Sequence, residues 1–143
     1  MKIASIILAA GQSKRMVSDL PKVLHKLNGK PLIEYSIAAA VRAVSETPVI
    51  VIGNAAELVQ KQVGDRAVFA VQTERLGTAH AVLAAEKQIA ADTNLVLVTS
   101  ADMPLLTAET LKAIVAAQAA NSGPMTLLTV HSGNPRGFGR ILR

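Results

Sequence analysis

The sequence contains no cysteine and no tryptophan, and few aromatic residues of any kind. Without cysteine, the 143-residue chain has no disulfide bond, no thiolate nucleophile and no thiolate ligand for a metal. Aromatic residues make up 2% of the chain, whereas proteins that bind single-stranded nucleic acid stack bases on several aromatic rings. We therefore expect no nucleic-acid partner, although the formal net charge is +5.

Long apolar runs are also absent, since no run reaches the roughly 18 residues that a membrane-spanning helix needs. The most apolar opening run, residues 3–10, follows one lysine and continues directly into polar residues, unlike a signal peptide. Hydrophobic residues nevertheless make up 50% of the chain, and the mean hydropathy is +0.37. This composition predicts one folded domain over residues 1–143, with no membrane contact and a cytoplasmic location. The positive charge favours a small anionic substrate.

Short apolar runs alternate with helical patterns along the chain. The alternation predicts an α/β fold with a mainly parallel sheet and helices on both faces. The predicted strands are residues 3–8, 48–52, 67–71, 94–99 and 125–130, and another begins within 139–143. The predicted helices are residues 31–44, 55–63, 77–91 and 107–120, the last with Thr107 as its N-cap. Ligands of such sheets bind at the carboxyl ends of the strands, so the loops after the first, third and fourth strands are the candidate sites.

The loop after the first strand has features of a phosphate site. Ala9, Ala10 and Gly11 are small enough for a ligand to approach the backbone, whose N–H groups bind anions in such turns. Arg15 and Lys22 then add positive charge. The loop lacks both the P-loop and the GxGxxG pattern, and it breaks the GxSxG pattern of hydrolases because Arg15 stands in place of the last glycine. An ordinary turn with two solvated cations remains the alternative.

Polar residues also follow the third and fourth strands. Gln72 offers a donor and an acceptor to the edge of a base, and Gly77 and Thr78 open a helix whose free N–H groups can donate to a ligand. Asp102 follows the fourth strand, where a carboxylate suits Mg²⁺ bound to substrate phosphates. A plain helix start and a plain turn remain the alternatives.

The three histidines do not indicate a metal site. His25, His80 and His131 lie far apart in the sequence, and none has ligand spacing such as HExxH. We expect each to lie on the surface or to have a structural role.

Five segments together resemble the bacterial N-acetylglucosamine-1-phosphate uridyltransferases in their order and approximate spacing. The segments are LAAGQSKRM (8–16), LPKVLHKLNGKPL (20–32), QTERLGTAHAV (72–82), SADMPLL (100–106) and GFGRILR (137–143). That family is the N-terminal part of the bifunctional enzyme that makes UDP-N-acetylglucosamine, a precursor of peptidoglycan and the cell wall. It belongs to the sugar-phosphate nucleotidyltransferases, which share a Rossmann-like sheet. The resemblance covers essentially the whole chain.

The resemblance implies a reaction and a set of site residues. The reaction transfers a uridylyl group from UTP to N-acetylglucosamine 1-phosphate, with Mg²⁺ as cofactor and pyrophosphate as the second product. Arg15 and Lys22 are implied as the catalytic contacts to the phosphates, Asp102 as the Mg²⁺ ligand, and the backbone of Gly139 as a contact to the amino sugar. The implied nucleotide-binding residues are Leu8, Ala9, Ala10, Gly11, Lys22, Gln72, Gly77 and Thr78.

Two departures from the family pattern keep alternatives open. The family usually reads GxGTRM where residues 11–16 read GQSKRM, which is closer to the molybdenum-cofactor nucleotidyltransferases, so transfer of a cytidylyl or guanylyl group to another acceptor stays open. The chain also ends at Arg143, in the middle of the family's catalytic domain. We therefore expect the nucleotide-binding part of a truncated domain, with an incomplete sheet whose exposed edge favours self-association. A non-catalytic nucleotide-binding fragment is the remaining alternative.

Overall fold

The computed structural model describes residues 1–11, 16, 18–53, 56–74, 76–134, 137, 139 and 141. The strands in these residues are β1 (Ile3–Leu8), β2 (Lys26–Leu27), β3 (Lys30–Pro31), β4 (Val49–Ile52), β5 (Val68–Val71) and β6 (Leu95–Ser100). The helices are α1 (Leu32–Val44), α2 (Ala56–Val63), α3 (Thr78–Ala84) and α4 (Ala108–Ala119). Short 3₁₀ turns cover Lys22–Leu24, Gly64–Arg66 and Glu86–Gln88. None of the described helices is long and apolar enough to span a membrane.

The main sheet has four parallel strands in the order β5-β4-β1-β6. From β1 the chain first adds β4 and β5 on one side and then crosses to place β6 on the other side. The strand order therefore reverses between β1 and β6. The crevice outside the carboxyl ends of these two strands is the topological switch point, where open α/β sheets bind their ligands.

Helices cover both faces at the centre of the sheet, as the sequence predicts. Ile7 and Ile50 on one face pack into a core with residues of α1 and α2. Ile6 and Val51 on the other face pack with residues of α3. All four residues of β4 are buried, which explains its continuous β-branched sequence. Burying one such side chain stabilises the fold by about 1.5–3 kcal/mol.

β6 is covered on only one of its faces. Leu97 is buried in a cluster with residues of α1 and α4, but Val96 and Val98, which alternate with it, are 44% and 41% exposed. No helix among the described residues covers these two valines. Burial of every strand on both faces, which the apolar runs predict, is therefore wrong for β6.

The predicted strand at 125–130 is also wrong, since no β-structure forms there. Its four large apolar side chains are between 55% and 75% exposed. The segment and β6 line the same cavity of about 640 Å³, and no backbone hydrogen bond joins them in the described part of the chain. An apolar segment forms a strand only when its backbone N–H and C=O groups bond to a neighbouring strand. Here the cavity, and not a ladder of hydrogen bonds, lies between β6 and residues 125–130.

The predicted helix at 77–91 is shorter than expected. The structure ends α3 at Ala84, and the N–H of Ala85 bonds back three residues to Val82 O at 3.0 Å. A 3₁₀ turn follows, and Ile89 then takes an extended conformation and packs against the core. Alanine-rich composition favours a helix but does not determine where it stops. The strand predicted to begin within 139–143 falls mostly outside the described residues.

Candidate functional site

The carboxyl ends of the four parallel strands lie level at one edge of the sheet. Leu8 at the end of β1 pairs with Val51 on one side and with Ser100 on the other. The first residue after three of the strands donates its N–H to the neighbouring strand at 2.8 to 3.0 Å; these residues are Ala9, Gln72 and Ala101. The sheet therefore fixes the start of the loops that the sequence analysis singled out.

Lys22 and Asp102 form an ion pair at the switch point. The distance from Lys22 Nζ to Asp102 Oδ2 is 2.6 Å, and Ser100 Oγ donates to Asp102 Oδ1 at 2.6 Å. The hydrogen bond from Lys22 and, second, that from Ser100 hold the pKa of Asp102 below its ordinary value, against the effect of partial burial. The carboxylate is therefore ionised at neutral pH. Two residues that were predicted separately, and that lie 80 positions apart in the sequence, are thus in direct contact.

A local fold anchors Lys22 beside β6. Lys22 begins a 3₁₀ turn whose other two residues, Val23 and Leu24, are buried in the core. The hairpin β2–β3 follows, and its turn residues Asn28 and Gly29 have positive φ values of 50° and 79°. This Asn-Gly pair is the usual signal of a two-residue hairpin, and the sequence analysis missed it. The buried turn fixes the backbone, and the ammonium group remains partly exposed for a ligand.

Gln72 lies at the other end of the same edge. Its side chain is buried, with 6% exposed, and its Nε2 lies 3.3 Å from Gly77 O and 3.1 Å from His80 Nδ1. Gly77 has φ +100° and ψ −175°, a combination that only glycine adopts readily. Thr78 begins α3 directly after it and is exposed. The contact with His80 was missed, because nothing in the sequence marked that histidine beyond its place in the GTAHAV segment.

The edge between these two ends is lined by small residues. Gln72 follows β5 and Asp102 follows β6, so about three strand spacings, or ~14 Å, separate the two positions. Ala10 lies between them, and a Cβ on Gly53 would come within 3.2 Å of Ala10 O. Glycine at position 53 therefore lets the loops after β1 and β4 approach closely. The edge suits an elongated ligand, with anionic groups at Lys22 and a hydrogen-bonding group at Gln72.

Three predicted residues stand apart from this account. Arg15 lies outside the described residues. Gly11 is described and exposed, three residues after the end of β1. Gly139 is exposed in the C-terminal segment, and residues 138 and 140 on either side of it lie outside the described part. The roles given to these residues by the resemblance stay predictions.

Comparison with known proteins identifies the family. The family model described as the MobA-like NTP transferase domain matches residues 5–138. The chain belongs to this family. The MobA-like domain therefore accounts for nearly the whole length of the chain.

Curated relatives bear the name that the sequence motifs indicated. The Bifunctional protein GlmU of Streptococcus agalactiae serotype III (strain NEM316) is 44% identical over 140 residues, which are 97% of this chain and 30% of the relative. The Bifunctional protein GlmU of Exiguobacterium sp. (strain ATCC BAA-1283 / AT1b) is 41% identical over 143 residues, 100% of this chain and 32% of the relative. The chain thus spans 30–32% of the length of these relatives. The predicted resemblance is confirmed.

Solved structures agree with the fold. The crystal structure of Rv0371c from Mycobacterium tuberculosis H37Rv matches with a TM-score of 0.73 at 21% identity, over 84% of this chain and 62% of that one. At this identity the match shows the fold alone, and it confirms the α/β architecture of the MobA-like domain.

Nucleotidyltransferases of this family generally use a divalent metal ion, and Asp102 fits one. It is an ionised oxygen ligand at the switch point, and partly exposed. Within the described residues, no three His, Asp or Glu side chains cluster as a metal site. An ion held here would therefore take its other ligands from substrate phosphates and water, which is the coordination that Mg²⁺ commonly has.

Proposed function

We propose that the chain carries the nucleotide-binding part of a uridylyltransferase that joins UTP to N-acetylglucosamine 1-phosphate and releases pyrophosphate. The observation that supports the proposal is geometric: in a chain 44% identical to a GlmU protein, the Lys22–Asp102 pair and Gln72 lie at opposite ends of the edge formed by the carboxyl ends of the strands. At one end, the ammonium group of Lys22 suits a triphosphate when a cation takes its place on Asp102. The polar amide at the other end suits a base.

The proposed chemistry needs no general base. The acceptor is a sugar phosphate, so its attacking oxygen is already an anion. This oxygen forms a bond to the α-phosphorus while the bond to the pyrophosphate oxygen breaks, and the bonding electrons leave with pyrophosphate. Catalysis then consists mainly of alignment and neutralisation of charge.

Lys22 changes partner in this scheme. In the structure it neutralises Asp102 at 2.6 Å. When a triphosphate occupies the edge, the ammonium group moves to the phosphate oxygens, and the carboxylate of Asp102 would then be available to hold a divalent cation. Such an ion would supply further positive charge to the phosphates. Lys22 and Arg15 neutralise the charge that develops on the departing pyrophosphate.

The nucleotide end is assigned to Gln72, Gly77 and Thr78. The Gln72 amide faces the loop between β5 and α3, and Thr78 begins α3, where backbone N–H groups have no partner within the helix. Uracil presents a ring N–H and two carbonyl oxygens, which these groups can bind. Leu8 ends β1, and the small residues Ala9, Ala10 and Gly11 that follow it leave room for the base and ribose.

A second candidate is transfer of another nucleotide. The description of the matching family model names MobA, whereas the curated relatives are GlmU proteins. Residues 11–16 read GQSKRM. Serine at position 13 and lysine at position 14 both depart from the uridyltransferase pattern. A cytidylyl or guanylyl group is therefore the alternative to uridylyl.

The test pairs a binding assay with a turnover assay. We expect calorimetry to show UTP binding with Mg²⁺, and pyrophosphate release to be faster with UTP and N-acetylglucosamine 1-phosphate than with CTP, GTP or other sugar phosphates. Preference for CTP or GTP would favour the second candidate. Binding of UTP without turnover would indicate a non-catalytic module.

An asparagine variant checks the metal end of the site. Asp102→Asn should abolish the Mg²⁺ dependence of UTP binding. Asp92→Asn is the matched control, because Asp92 also pairs with a lysine at 2.7 Å but lies far from the switch point at the amino end of β6. Equal effects of the two substitutions would contradict the assignment.

A further inference from the structure

The side-chain amide of Gln72 is held by two acceptors. Its Nε2 carries two hydrogens, and it lies within hydrogen-bond distance of Gly77 O at 3.3 Å and His80 Nδ1 at 3.1 Å. The two contacts use both hydrogens. Among the described residues none donates to Oε1, which is therefore the atom of the amide left for a ligand.

The carbonyl of Gly77 decides which way the amide is turned. A backbone oxygen can only accept, so the atom that faces it must be the amide nitrogen. With Nε2 fixed in this way, His80 Nδ1 has to accept the second hydrogen. It can do so only in the neutral ring that carries its proton on Nε2.

Each group in this arrangement is anchored to the core. The N–H of Gln72 donates to Ile52 O at 2.8 Å, and the Gln72 side chain is 6% exposed. His80 is half-buried in the first turn of α3, next to Ala81, which is buried against the sheet. The imidazole is therefore not a free surface group, and its acceptor atom has a defined place beside the amide.

We propose that His80 is a positioning residue that fixes the Gln72 amide with only its acceptor oxygen available to the ligand. This end of the edge then selects a base that presents a ring N–H, as uracil does at N3. Cytosine has an unprotonated nitrogen at that ring position, and the lone pair of this nitrogen would repel Gln72 Oε1. The inference rests on the proposed function, because it takes the edge to be a nucleotide site.

The test compares nucleotide probes across His80 variants of the purified chain. The probes are UTP, CTP and 3-methyl-UTP, which lacks the ring N–H, and the readout is the dissociation constant by calorimetry. The wild-type chain should bind UTP about tenfold more tightly than 3-methyl-UTP, since one hydrogen bond is lost and an acceptor is left unpaired. His80→Leu should weaken UTP binding about five- to tenfold and reduce the ratio between the two probes.

Two further variants separate positioning from a merely structural role. His80→Asn keeps an acceptor near the place of Nδ1 and should restore most of the affinity and the ratio. His131→Leu removes an exposed histidine from the C-terminal segment and should change neither. A loss of packing alone would weaken the binding of UTP and of 3-methyl-UTP equally. The ratio of their dissociation constants would then stay as it is in the wild-type chain.

The outcomes distinguish this inference from the proposed function. If His80→Leu binds UTP with wild-type affinity and keeps the wild-type ratio between UTP and 3-methyl-UTP, the inference is wrong and the proposed function is unaffected. If thermal unfolding shows that His80→Leu does not fold, equal binding of UTP and 3-methyl-UTP by the wild-type chain overturns it instead. Preference for CTP contradicts both, because cytosine lacks the ring N–H that the Gln72 oxygen selects. Preference for GTP contradicts uridylyl transfer alone, since guanine carries a ring N–H at N1, and equal binding of GTP and 1-methyl-GTP would then overturn the inference. A chain that binds no nucleotide contradicts both.

Discussion

Lys22 is the residue on which the chemistry of the edge depends most. Its side chain is 37% exposed and that of Asp102 is 33% exposed, so water screens the pair and its contribution to stability is small, about 0.5–1 kcal/mol. The main role we assign to Lys22 is therefore electrostatic, at the phosphates of the substrate.

The Lys22→Ala variant should lower kcat more than it raises KM. Removing one group that stabilises charge in a transition state typically lowers kcat by about a hundredfold or more, and we expect KM to rise by less than about tenfold because other contacts hold the nucleotide. Steady-state kinetics with UTP as the varied substrate measures both. Lys26→Ala, which removes an exposed lysine four positions away, is the control, and unchanged turnover in Lys22→Ala refutes the role.

The same pair makes a small part of the stability depend on pH. The pKa of Asp102 is lowered in the folded state, so the stabilisation is fully present above the ordinary value of about 3.9 and is lost as the pH falls through the lowered value. Urea unfolding of wild type and Lys22→Ala should differ by about 0.5–1 kcal/mol at neutral pH. This difference should disappear in acid. A difference that grows on acidification would contradict the assignment.

The residues of the site show what a sequence can and cannot reveal. Gln72 and Asp102 could be singled out because polar residues closely follow apolar strands, and Lys22 because it adds positive charge to the loop after the first strand. Their contacts could not be predicted, because the meeting of Lys22 with Asp102 depends on the register that sets Leu8 beside Ser100. The contact between Gln72 and His80 depends likewise on the loop conformation that Gly77 permits.

At the scale of elements, burial and pairing decide which sequence patterns become structure. The buried β-branched run of β4 and the capped start of α4 were both predictable from local sequence. The run at 125–130 has a similar apolar character, but it forms no strand, because a cavity lies between it and β6 and its backbone groups do not bond to β6. The stop of α3 at Ala84 also depends on tertiary packing, since Ile89 must turn back to the core.

The N-cap of α4 offers a test at this scale. Thr107 Oγ1 accepts a hydrogen bond from the N–H of Thr110 at 3.3 Å, and α4 packs through Leu111 on the cluster that covers β6. Thr107→Ala should lower the free energy of unfolding by about 1 kcal/mol. Thr107→Asp keeps a capping oxygen and should stay within about 0.5 kcal/mol of wild type in the same urea titration. Equal losses in the two variants would show that the cap contributes nothing.

At the scale of the whole molecule, the sheet has two open edges in the described part of the chain. β6 pairs only with β1, and its sequence LVLVTS contains no charge that would discourage pairing with another strand. Val96 and Val98 add an exposed apolar surface on one face. We expect the self-association predicted from the sequence to use β6, because its unpaired edge is six residues long against four in β5.

A charged substitution on β6 should weaken this association. Sedimentation at rising concentration should show that Val98→Lys is more monomeric than the wild-type chain. Leu58→Lys, which places the same charge at an exposed apolar position of α2, controls for net charge and should behave as wild type. A wild-type chain that stays monomeric at every concentration would refute the expectation.

A crystal structure of the chain with UTP and Mg²⁺ bound would show the proposed site itself. We expect uracil within hydrogen-bond distance of Gln72 and the phosphates between Lys22 and Asp102, with the ion on the carboxylate of Asp102. A pyrimidine far from Gln72, or a triphosphate bound away from the crevice between β1 and β6, would contradict this expectation.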